Sequence, residues 1–114
     1  MLPVELTRYF HDSRLEVESY TRAERLLTVR IEKEIGPETG LIIFQQITFI
    51  SLPMIMPGES MIARTASEAT PEFWTRCLLD YHELEPDDVV FEIVSQDGPV
   101  YFVVAKSVDY KIMA

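Results

Sequence analysis

Apolar residues recur along the whole chain, and the spacing at which they recur changes several times. Leu2, Leu6, Tyr9 and Phe10 fall at i, i+4, i+7 and i+8, the stripe of a short helix, and Pro3 is tolerated in the first turn, where its missing N–H loses no partner. His11-Asp12-Ser13 ends that helix. From Leu15 the period becomes two. Leu15 and Val17 alternate with Glu16 and Glu18, and after Thr21 to Glu24 the residues Leu27, Val29 and Ile31 alternate with Thr28, Arg30 and Glu32. Both segments read as half-buried antiparallel strands, dry on one face and charged on the other.

Gly and Pro make Ile35 to Gly40 a turn, and the strand that follows, about Leu41 to Leu52, is apolar on both faces and belongs in the middle of a sheet. Its large residues change phase, Ile42 and Phe44 on even positions and Ile47 and Phe49 on odd ones. One bulged residue at Gln45-Gln46 accounts for that change. Pro53 and Pro57-Gly58 bracket Met54-Ile55-Met56 and predict a bend, followed by a short edge strand from Ser60 to Thr65.

Thr70-Pro71-Glu72 opens a second helix, with a side-chain oxygen for an orphan N–H, proline at the first helical position and a carboxylate at the positive end of the dipole. Trp74, Cys77, Leu78 and Tyr81 form its apolar stripe, so the helix is expected over 71–82. Glu85-Pro86-Asp87-Asp88 turns the chain. Val89 to Ser95 and Val100 to Lys106 then form a hairpin about Asp97-Gly98, and Val108 to Ile112 continue the last strand or leave it.

These elements predict one α+β domain over residues 1–114: a mainly antiparallel sheet of five to six strands with two short helices packed on it. The last two strands are apolar on both faces, Val89, Phe91 and Ile93 on one and Val90 and Val94 on the other. Helices can cover one side. The other needs a second layer of sheet or a second subunit, which leaves a homodimer open.

Composition narrows the partners. Nineteen acids against ten bases give a net charge of -9 over 114 residues. Phosphate binding draws on Lys and Arg, so nucleic acid is not an expected partner. The stretch from Leu41 to Met56 is too short and too interrupted for a membrane helix, and the N-terminus has no basic, apolar and small-residue series of a signal peptide. A single cysteine, Cys77, allows no intramolecular disulfide and suits a reducing cytoplasm. The charge is also uneven: residues 1–34 hold six bases and seven acids, whereas Asp80 to Asp97 hold seven acids and no base.

Catalytic constellations do not emerge. Cys77 and His82 stand about 140° apart around a helix axis, with the thiol on the apolar stripe. His11-Asp12-Ser13 are sequence neighbours, which cannot hold a triad's geometry. Two histidines and a core cysteine make no zinc site, and the acidic stretch lacks the spacing of a calcium loop. Four scattered glycines make no phosphate loop. Neither a cofactor nor a metal is expected. Met54, Met56 and Met61 read mainly as core, or else as an adaptable contact surface.

The expectation is a non-catalytic acidic interaction module, inhibitor- or immunity-like in size and charge, that binds a protein with a basic surface through Asp80, Glu83, Glu85, Asp87 and Asp88. Two alternatives come from the same residues. One is a small enzyme or small-molecule binder with a pocket between helix 71–82 and the sheet, drawing on Trp74, Tyr81 and His82. The other is a subunit of a homo-oligomer.

Overall fold

The computed structural model describes residues 13–33, 39–77 and 84–113. Six strands run in chain order: β1 (Ser13–Thr21), β2 (Leu26–Lys33), β3 (Thr39–Ser51), β4 (Ile55–Thr65), β5 (Val89–Ser95) and β6 (Val100–Met113). A 3-10 turn at Ala66–Glu68 and one short helix, α1 (Pro71–Cys77), lie between β4 and β5. Every strand pair is antiparallel, and the order β1-β2-β3-β6-β5-β4 closes into a barrel.

The α+β expectation is therefore corrected: the protein is a closed six-stranded antiparallel barrel with one small helix among the described residues. The predicted N-terminal helix over Leu2 to Phe10 lies outside the described residues. Two meanders, β1-β2-β3 and β4-β5-β6, face each other and are joined where β1 pairs with β4 and β3 with β6. The inner side of β5 and β6 is thus covered by the opposite wall of the same sheet. Leu15, Leu27, Val29, Ile31, Ile42 and Phe44 from the first meander pack in one core with Met61, Phe91, Ile93 and Val103 from the second. Closure also pairs the strand edges that an open sheet would expose.

Closure depends on the long strands β3 and β6, each of which contributes to both walls. The expected change of phase in β3 is present, with Phe44 and Ile47 both buried, but no bulged residue stands at Gln45-Gln46, where the register with β6 is unbroken; Gln46 instead takes a left-handed backbone with φ 54°. A second irregularity falls between Ile47 and Phe49, where the register with β6 shifts. It separates two residues the sequence placed on one face, since Ile47 packs in the barrel core and Phe49 against the cluster outside it. Such irregularities bend a strand and raise its local twist, which lets one strand turn the corner of a small barrel.

A left-handed backbone strains a β-branched residue most. Gln46→Val is expected to lower stability by about 1–2 kcal/mol in urea titration, and Gln46→Gly to leave it unchanged or raise it. Equal effects of both substitutions would remove the strain argument.

The chain bends at Met54 as predicted, but the short edge strand expected over Ser60 to Thr65 is corrected: β4 begins at Ile55, includes Pro57 and is paired with β1 and with β5. Proline is accommodated where β4 passes from one neighbour to the other. Pro57 pairs with Arg14 of β1, the ladder with β5 begins at Gly58, and the Pro57 carbonyl accepts from Gln96 N–H at 3.3 Å. The methionines divide accordingly, Met56 and Met61 into the core and Met54 to the surface at 66% exposure.

The predicted hairpin is present between β5 and β6. Ser95 N–H bonds to the Pro99 carbonyl at 2.9 Å, and Gly98 adopts φ 102°, which its missing Cβ permits. Helix α1 begins as its cap predicted, with Phe73 N–H reaching Thr70 Oγ1 at 3.4 Å. Its anchor is Phe73, fully buried against the outward side chains of β5 and β6, Val90, Phe102 and Val104. Phe73 stacks edge-on to Phe102 at 5.2 Å and to Trp74 at 4.9 Å. The helix thus covers the outer face of the same two strands whose inner face lines the barrel. Among the described residues, no helix is long and apolar enough to cross a membrane.

Candidate functional site

Lys106 lies within β6 next to Ala105, the residue opposite Val89 at the start of β5. That register brings it against the turn that feeds β5. Asp88 N–H bonds to the Glu85 carbonyl at 3.0 Å and Glu85 N–H returns a bond to Asp88 Oδ2 at 2.8 Å, so the turn is closed from both ends. Proline and aspartate favour such a turn because one fixes φ and the other bonds to the nearby backbone.

Three carboxylates converge on the lysine. Its Nζ lies 2.7 Å from Asp87 Oδ1, 2.8 Å from Glu85 Oε2 and 3.0 Å from Asp88 Oδ1. Their exposures assign different roles. The Asp88 side chain is 1% exposed and also accepts from Thr48 Oγ1 at 3.4 Å, whereas those of Glu85 and Asp87 are each 72% exposed. Asp88 is the buried anchor of the turn, and the other two form its outer rim.

The charges hold one another. The hydrogen bond from Lys106 keeps the Asp87 carboxyl below the usual aspartate range. Bonds to Asp87 and then Glu85 raise the Lys106 ammonium above the usual lysine range. One cation set among three anions leaves the cluster with a net negative charge.

The structure thus brings together Glu85, Asp87 and Asp88 of the five acids singled out in the sequence, while Asp80 and Glu83 lie outside the described residues. Lys106 was missed as a partner because 18 to 21 positions separate it from them. Glu92, counted in the same acidic stretch, belongs elsewhere: it is largely buried and accepts from Arg64 Nε at 2.6 Å across the β4–β5 ladder. The signal that could have found that pair is the outward parity shared by Arg64 and Glu92 on neighbouring strands.

Tyr81 and His82, and the side chain of Cys77, lie outside the described residues. Ser13 opens β1 and is fully buried, and His11 and Asp12 lie outside the described residues. Phe73 packs between α1 and the sheet, with Trp74 beside it. A cavity of about 10 Å³ at the Leu52-Pro53 end of the barrel, bordered by Val17, Phe44 and Met56, is at the lower limit for one water. No family model, no curated protein and no solved structure matches the chain.

Proposed function

We propose that the protein is a non-catalytic interaction module that binds a basic surface of a partner protein through the Glu85–Asp87 rim, in a reducing cytoplasm. The observation that carries this reading is the difference in exposure within one cluster: two carboxylates face solvent from a turn whose third carboxylate is buried beneath them. A turn closed by its own hydrogen bonds and braced by Lys106 presents those two groups with little conformational freedom left to lose on binding. The net charge of -9 adds long-range attraction for cationic partners and speeds their encounter.

The test is capture from native lysate at low salt with tagged protein, mass spectrometry of what elutes as salt rises, and affinity measurement on the partner found. Glu85→Lys with Asp87→Lys leaves the buried Asp88–Lys106 pair in place and is expected to weaken binding roughly tenfold or more. Binding indifferent to both salt and this double variant would defeat the proposal.

A further inference from the structure

The outer face of the β1-β2-β3-β6 wall lies away from both cores. Cross-strand pairing aligns Ile55, Glu16, Arg30, Leu41 and Lys111 in one row over five strands. The next row sets Ile43 between Thr28 and Asp109. Alternation along β3 explains why Leu41 and Ile43 are only half-buried: Gly40, Ile42 and Phe44 take the inner face, and the two aliphatic side chains between them point outward. Neither belongs to the barrel core or to the core beneath α1. Ile55, at the end of the row, is 53% exposed.

Charge distinguishes this face from the rest of the molecule. It carries Arg14, Arg30 and Lys111 against Glu16, Glu18, Glu32 and Asp109, so nearly all of the net charge of -9 lies elsewhere. Opposite signs stand two residues apart on three of the strands: Arg14 and Glu16 on β1, Arg30 and Glu32 on β2, and Asp109 and Lys111 on β6. Arg30 already bridges Glu18 at 3.3 Å and Glu32 at 3.5 Å. Two copies of so acidic a chain repel one another over most approaches. On this face repulsion nearly vanishes, and a twofold rotation can set cations against anions around apolar centres.

We infer that the outer face of this wall, centred on Leu41 and Ile43, is the contact between two copies of the chain. Four strands about 4.8 Å apart, each giving about five residues at ~3.4 Å, make a patch of roughly 300 Å² in projection. That is below the ~800 Å² per partner of a standard stable interface, so the dimer is a reversible one. It uses a different surface from the Glu85–Asp87 rim and does not depend on that assignment.

Sedimentation equilibrium of the full chain from about 10 µM to about 1 mM tests the inference. The expected result is an average mass rising with concentration from 13.2 kDa towards twice that value. Leu41→Thr with Ile43→Thr keeps residues that strands accept and is expected to weaken the association roughly tenfold or more, with circular dichroism confirming the fold. Glu85→Gln with Asp87→Asn is expected to leave the association in place. A constant 13.2 kDa in the wild type overturns the inference. So does an association that the threonine pair leaves unchanged, because a different face would then be in contact. Should the threonine pair fail to fold, cross-strand protection decides: hydrogen exchange of 39–45 and 107–111 slows with concentration in a dimer of this kind, and concentration-independent exchange there overturns it.

Discussion

Phe44→Ala is expected to lower the free energy of unfolding by about 3–5 kcal/mol, read as a fall in the urea midpoint with little change in slope. The ring is 1% exposed and meets Phe91 of the opposite wall edge-on at 5.1 Å, so it links the two meanders through the barrel interior. Truncation removes apolar contact on both walls. Neighbours on a closed ladder cannot move in freely to fill the gap, since each is held by pairing on two sides. Against a total stability of about 5–15 kcal/mol for a domain of this kind, such a loss is a fifth or more of the whole. Phe44→Leu fills part of the space and should lose less than half as much. A loss below about 1 kcal/mol for the alanine variant would place Phe44 outside a packed interior and refute the closed barrel.

Asp88→Ala is expected to be the second largest effect, about 2–3 kcal/mol. It strips the acceptor from the Glu85 N–H and removes the buried carboxylate on which Lys106 rests. Asp88→Asn retains an acceptor oxygen and should cost about 1 kcal/mol. If alanine and asparagine were equivalent, the hydrogen bonds of the turn would not be what the residue supplies.

The same cluster sets a direction for pH. Asp87 is held below the ordinary aspartate value of 3.8, so its stabilising contribution is fully present above that value and is lost as pH falls through the depressed one. Lys106 is raised, so its contribution persists below the ordinary lysine value of 10.5 and fades only as pH climbs through a still higher one. The cluster's pH response therefore lies on the acid side. Lys106→Met is expected to flatten the acid limb of the stability curve; an unaltered limb would show that the ammonium does not depress Asp87.

Much of the local structure was legible because it obeys a short-range period. Alternation marked β1 and β2, Asp97-Gly98 marked the last hairpin, and Thr70-Pro71 marked the start of α1. The doubly apolar β5 and β6 correctly demanded cover on two sides. What covers the inner side was not legible, because a helix layer, a partner and the far wall of a barrel all satisfy the same pattern. The apolar stripe through Trp74, Cys77, Leu78 and Tyr81 does not single out Phe73 as the anchor, since one residue of rotation about a helix axis changes which side chain faces the sheet. Within the site, the carboxylates stood out in the sequence as a run without bases. Their division into one buried anchor and two exposed groups did not, because the lysine that sorts them belongs to another strand.

The sequence by itself narrowed the strands to five or six and determined their mainly antiparallel pairing, the hairpin and the acidity of the segment before β5, all of which follow from alternation, turn chemistry and charge within a few residues. Only the tertiary structure decided that the sheet closes on itself, that Glu85, Asp87 and Asp88 share Lys106, and that Leu41 and Ile43 lie outward on a nearly neutral face. Those outcomes depend on register between strands far apart in the chain, and register is fixed by how whole faces pack against one another.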